Sequence, residues 1–186
     1  MALEESHKST RVHKILQKIN GPAIIYVRNR KKTYEFSSEL NKLGISSTYY
    51  HAGLSEDDKT SNQAKWMNNN TRVMVATNAF GMGIDKPDVR LVIHLQNPNS
   101  TEAYFQEAGR AGRDGEKAFA ISLFQKSDFK DSINQFTETY PSFTDVRNVY
   151  QNLANFLQIA VGDGYEQTYD FDFEKFCSKY KLNPFK

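Results

Sequence analysis

The sequence predicts an α/β fold: a parallel sheet with helices on both faces, followed by a small α-helical extension. Two observations carry this. Up to about residue 124, short apolar runs alternate with segments of helical period, joined by short connections. That is the signature of repeated strand–helix–strand units. After Ser127 the apolar runs stop and only helical periodicity remains.

The elements follow in order. Residues 1–9 are polar and are expected to form a disordered linker. Val12, Ile15, Leu16 and Ile19 fall at i, i+3, i+4 and i+7, one face of a short helix ended by Asn20-Gly21-Pro22. The run AIIYV at 23–27 suits a buried parallel strand. A helix is predicted over 31–43, with Phe36, Leu40 and Leu43 inward and Gly44 closing it. Residues 46–50 form the next strand. Ser55, with Asp58 three positions later, opens a helix that ends near 68–70. Strands follow at 73–76 and 91–95, then a helix from near Ser100 to a glycine-rich stretch, then a last strand at 118–124. Beyond it, 129–139 and 144–161 read as an antiparallel helix pair broken at Pro141. Val149, Leu153, Phe156, Leu157 and Ala160 form a core stripe, and a short amphipathic helix spans 171–180. The tail reads as part of a longer protein. The predicted organisation is a linker (1–9), an α/β domain (10–127) and a helical extension (128–186).

Composition sets bounds. The chain has 186 residues, 39% hydrophobic and 13% aromatic, enough for one core and part of a second. The net charge of +2 is too small to argue for a nucleic-acid partner. Its distribution says more: from Ser6 to Tyr34 there are eight Lys/Arg and no acid, and from Asp163 to Glu174 five acids and no base. The basic stretch suits a phosphate backbone or, equally, a solvated helix face. Cys177 is the sole cysteine, and the four histidines lack metal-ligand spacing, so neither a disulfide framework nor a zinc site is expected. No apolar run approaches a membrane span, and the chain is expected to be soluble and cytoplasmic, with no membrane partner.

Residues 106–115, QEAGRAGRDG, carry the most chemistry. Arg110 and Arg113 sit three apart among glycines, and a guanidinium stays charged and pairs bidentately with phosphate oxygens. An arginine on the transferring phosphoryl group of a nucleotide contributes about 10³–10⁵ in rate. The alternative is a basic surface turn that salt-bridges Glu107 or Asp114. Upstream, residues 74–89 read MVATNAFGMGIDKPDV, between the apolar runs at 72–76 and 90–95.

The segment VATNAFGMGIDKPDVRLVIH followed by YFQEAGRAGRDG resembles motifs V and VI of the RecQ DNA helicases, a branch of helicase superfamily 2. The stretch IIYVRNRKKTYEFSSEL and YHAGLS at 50–55 are similar to that family's motif IV region and the element after it, so the resemblance spans about residues 10–130. It implies a RecA-like domain, the C-terminal helicase lobe of the P-loop NTPase class. It implies that Arg113 is an arginine finger, that Arg110 is its companion coupling the γ-phosphate to lobe closure, and that Gln106 opens the motif. Gly83 and Asp85 would meet the nucleotide from the opposite side, Asp85 accepting from a ribose hydroxyl. Arg28, Asn29, Arg30, His51, Thr77 and Asn78 would hold the DNA backbone. Simpler roles stand beside these: an exposed helix residue for Gln106, a cap or turn for Asp85, a local turn for Thr77 and Asn78, and packing for His51. Tyr26, Tyr49 and Tyr50 read as core or sheet-surface residues.

The implied cofactor is ATP with Mg²⁺, held mainly by an upstream RecA-like lobe. No Gly-x-x-x-x-Gly-Lys-Ser/Thr and no acidic metal and base pair occurs in this chain. The implied partners are that lobe and DNA, both single-stranded and at duplex junctions. The implied activity is 3′–5′ translocation and unwinding in repair and recombination, with the isolated chain inactive. A DEAD-box RNA helicase would carry His-Arg where this chain has Gln106-Glu107, which favours DNA over RNA. The family's four-cysteine zinc site has no counterpart here, so the helical extension is expected to be metal-free. Two other readings remain: a non-catalytic nucleic-acid or partner-binding module with a helicase-like fold, and an RNA helicase lobe.

Overall fold

A computed structural model of the chain describes residues 5–81, 83–125, 128–130, 133, 140–160 and 162–182, with side chains from Lys8 onward. The elements of the first part are α1 (Glu5–Lys18), β1 (Ala23–Tyr26), α2 (Arg30–Lys42), β2 (Ser47–Tyr50), α3 (Glu56–Met67), β3 (Val73–Ala76), β4 (Leu91–His94), α4 (Thr101–Ala108) and β5 (Phe119–Ser122). The five strands form one sheet in the order β2-β3-β1-β4-β5, with every pair parallel. This is the RecA-like helicase C-terminal architecture that the sequence predicts. The three central strands are buried along their whole length, and the edge strands β2 and β5 are only partly covered.

Strand periodicity sorts the core into two layers. On one face Ala23, Ile25, Val73, Val75, Leu91 and Ile93 pack with Val12 and Leu16 of α1 and Leu40 of α2. On the other Ile24, Tyr26, Met74, Ala76 and Val92 pack with Trp66 of α3 and with Phe80, Ile84 and Val89 of the β3–β4 connection. Capping fixes the helix starts. Asn29 accepts from the Lys31 N–H, Ser55 from Asp58 and Ser100 from Ala103.

Two expectations are corrected here. Residues 5–9 are the first turns of α1, where a disordered linker was expected; residues 1–4 lie outside the described residues. Lys8 is buried, and its ammonium donates to the Leu95 carbonyl and to the Asp128 carboxylate at 2.7 Å. A polar run becomes helix because one lysine finds a buried acceptor far away in sequence. Leu43 is 49% exposed, because α2 stops at Lys42 and Leu43 is its C-cap. The fully buried positions are Thr33, Ser37 and Leu40, with Phe36 partly buried against the core as expected, and Ser37 is reconciled to burial by hydrogen bonding with Ser47 at 2.9 Å.

Residues 1–129 form one compact unit and 130–186 a second. Within the second, α5 (Phe143–Leu157) opens with a reciprocal Ser142–Asp145 capping box, and α6 (Phe173–Tyr180) opens on Asp172. Phe156 meets Phe171, Phe176 and Tyr180 edge-on, with centroids 5.9, 5.4 and 6.5 Å away. Of the expected stripe, Val149 is 40% exposed, and Ala154 is the α5 residue that is buried. The helix expected over 129–139 falls mostly outside the described residues.

Trp66 is fully buried against Phe80 and donates its indole N–H to the Ala23 carbonyl at 3.1 Å. Trp66→Ala is expected to destabilise the sheet domain by about 3–5 kcal/mol. Urea denaturation followed by far-ultraviolet circular dichroism measures this without the lost fluorophore.

Candidate functional site

The carboxyl ends of the parallel strands gather nearly all the sequence-flagged residues. Arg28, Asn29 and Arg30 follow β1, His51 follows β2, and Thr77 and Asn78 follow β3. The chain leaves β1 toward β2 and leaves β4 toward β5, so the crevice between the ends of β1 and β4 is the topological switch point, where ligands bind in open α/β sheets.

The arginine-bearing turn is held against the β3–β4 connection. The Gly112 N–H donates to the Val89 carbonyl at 2.9 Å, and the Asp114 N–H to that of Pro87 at 3.3 Å. Gly112 takes φ +69°, and a Cβ there would sit 2.8 Å from the Glu116 carbonyl oxygen. Arg90 pairs with Asp114 and so holds its carboxyl below the usual range. Lys86 is buried and donates to the Met67 carbonyl at 3.1 Å, pairs with Asp88 at 2.9 Å, and lies over the Trp66 ring. Lys86 and Arg90, neither of which stands out in the sequence, thus clamp the end of this connection that leads into β4.

Arg110 and Arg113 differ in setting. Arg113 donates to Asp85 Oδ1 at 3.2 Å and to the Ile84 carbonyl at 3.4 Å. Its side chain is 40% exposed and that of Asp85 85%. Arg110 lies directly against Gly81: at φ +141°, a Cβ on that residue would fall 2.3 Å from the guanidinium. The Arg110 Nε is buried without a hydrogen-bond partner. Neither arginine takes Glu107 or Asp114. Glu107 instead accepts from His94 Nε2 at 2.8 Å, both groups being buried.

A polar cluster beneath Arg110 was not legible in the sequence. His94 stacks on Tyr26 at 5.4 Å between centroids, at an interplanar angle of 15°. The two are register partners across β1 and β4. The Tyr26 hydroxyl donates to the Phe80 carbonyl at 3.1 Å. Burial pushes the Tyr26 phenol well above its ordinary range, and the adjacent Arg110 charge only partly offsets this. His94 and Glu107 lie thirteen residues apart, and no local pattern pairs them.

The remaining residues fall as follows. Arg28 donates to the Asn97 carbonyl from Nε at 3.0 Å and from a terminal nitrogen at 2.7 Å. Asn29 serves as the α2 cap, and Thr77 is buried with its backbone N–H on the Tyr50 carbonyl. Asn78, Gly83, Arg30 and Gln106 are exposed, and the space beside Gly83 is open. His51 Nδ1 accepts from the Gly53 N–H at 3.2 Å, and Arg30 reaches the same turn.

Partial burial, then the Arg30 and Lys59 charges, hold the His51 imidazole below its usual value. These cationic neighbours disfavour the imidazolium, so His51 is expected to titrate below about pH 6.5. Arg30→Ala is expected to bring the midpoint part of the way back up, because burial is the larger cause. A pH series of histidine proton–nitrogen NMR spectra measures both.

Residues 7–115 match the model of the helicase conserved C-terminal domain. The RecQ-like DNA helicase blm-1 of Caenorhabditis elegans is 42% identical over 151 residues, covering 80% of this chain and 15% of its own length. The putative ATP-dependent RNA helicase R290 of Acanthamoeba polyphaga mimivirus is 46% identical over 110 residues, covering 59% and 20%. Among solved structures, the Escherichia coli DEAD-box protein SrmB, bound to regulator of ribonuclease activity A, superposes with a TM-score of 0.63 at 30% identity, covering 68% of this chain and 75% of that one. The chain thus spans a fifth or less of the two relatives' lengths. With the parallel sheet and the motif-bearing loops at its carboxyl edge, these matches establish that the chain belongs to the helicase conserved C-terminal domain family, as a RecQ-like C-terminal lobe.

Proposed function

We propose that this chain is the second motor lobe of an ATP-dependent 3′–5′ DNA helicase that acts in repair or recombination, with Arg113 as its arginine finger. One observation carries the reading: Arg113 projects from a clamped turn at the sheet's carboxyl edge and, among the described residues, is paired only with exposed Asp85 and backbone carbonyls. A pair this exposed is worth about 0–1 kcal/mol, so the guanidinium leaves it readily for a phosphate. Gly83 borders open space, and Asp85 and Arg113 are exposed beside it, so the edge leaves room for a polyphosphate approaching from outside the lobe. When bound, ATP supplies the phosphoryl group whose hydrolysis drives the cycle, with Mg²⁺ held by the upstream lobe.

This chain's own residues then do three things. Arg113 exchanges Asp85 for phosphate oxygens. Arg110, held under Gly81, couples that contact to the sheet. Arg28, Arg30, His51 and Asn78 grip the strand backbone, which sets register without reading bases. The R290 match favours an RNA substrate as a second reading, and comparing DNA with RNA as activators separates the two.

The chain alone is expected to hydrolyse no ATP, since it has no glycine-rich phosphate cradle. Joined to its nucleotide-binding lobe, Arg113→Ala is expected to lower DNA-stimulated kcat by about 10³-fold or more with DNA affinity retained. Steady-state ATPase assays measure the first quantity and fluorescence anisotropy the second. An unchanged kcat would leave the arginines structural and favour a non-catalytic binding module.

A further inference from the structure

The free edge of the sheet lies along β2, beside a groove of about 570 Å³ between α2 and α3. An uncovered parallel edge is ordinarily a template for another strand. Here that template is partly taken by side chains. The Asn41 side chain accepts from the Ser47 N–H at 2.9 Å and donates to the Ser47 carbonyl at 3.1 Å, and Asn62 donates to the Tyr49 carbonyl at 3.1 Å. A peptide strand would find three of these main-chain groups already bonded to side chains, which disfavours β-augmentation here.

Its chemistry points elsewhere. None of the lining residues is acidic. Lys42 and Lys65 both line it, and neither forms an ion pair among the described residues. Tyr34, 58% exposed, lines it and meets Tyr49 edge-on at 5.4 Å. Tyr49 in turn lies 6.2 Å from the His51 ring at the sheet's carboxyl edge. The groove is thus continuous with the face that carries His51 and Arg30.

We propose that this groove is an accessory subsite for single-stranded nucleic acid, with Lys42 and Lys65 meeting phosphates and Tyr34 stacking on a base. Two separated cations and an exposed ring along one polar channel are the elements of sequence-tolerant strand binding. The proposal rests on the reading of the sheet's carboxyl edge as a nucleic-acid face, and it lengthens the track sideways over the β2 edge.

The test uses two fluorescein-labelled oligothymidylates, one of about five nucleotides and one of about twelve, titrated into the chain by anisotropy. The longer strand is expected to bind more tightly. Tyr34→Ala is expected to weaken the longer strand by roughly 5- to 150-fold and leave the shorter unchanged. The double change Lys42→Gln and Lys65→Gln is expected to flatten the salt dependence of the longer strand by about 1.4 in log–log slope, about 0.7 per phosphate. All three side chains sit at the surface, and matched melting temperatures confirm the fold. If both oligonucleotides bind but the variants match the parent, the subsite is absent while the sheet-edge reading stands. If neither oligonucleotide binds, both fall. Equal weakening of the two lengths would also overturn the subsite, placing these residues on the principal track.

Discussion

The close approach of Gly81 to the Arg110 guanidinium is the constraint on which the site depends. It fixes where the β3–β4 connection crosses the end of β1, and so where Ile84 and Asp85 lie relative to Arg113. The backbone angle, φ +141°, favours glycine, and a Cβ there would have to push the Arg110 guanidinium aside. Beneath it, Tyr26, His94 and Glu107 form a buried polar layer linking β1, β4 and α4. Such a layer is costly if half satisfied, and here His94 Nδ1 and the Arg110 Nε are both buried without a hydrogen-bond partner.

The two arginines of one short motif therefore divide the work. Arg110 is built in, packed against Gly81 and lying close enough to Tyr26 for its charge to act on the phenol. Arg113 stands outward and is held weakly by a solvated carboxylate. A built-in group beside a movable contact is the arrangement that the proposed ATP-coupled closure would use.

Much of the fold was legible because its strands are short apolar runs with a turn at each end. The sequence placed β1, β3 and β4 within about one residue, and the Ser55 and Ser100 caps marked their helices. What escaped was tertiary. The start of α1 depends on Lys8 finding Leu95 and Asp128, which no local pattern announces. Leu43 follows the helical period but falls one residue past the helix end. At the site, motif resemblance pointed to Arg110, Arg113 and Asp85, and the Arg113–Asp85 pairing was not foreseen. The Tyr26–His94–Glu107 layer joins three distant segments: Tyr26 alone reads as core or sheet surface, and Glu107 alone as a partner for the arginines beside it.

The Lys8 contact has a mechanical side. Its ammonium bridges the first helix to the strand end at Leu95 and to Asp128, near where the chain leaves the sheet unit. Tension applied along the polypeptide through these two ends meets that bridge before it reaches the strands. The load path is short-circuited across the base of the lobe, and the parallel hydrogen-bond ladder is spared shear.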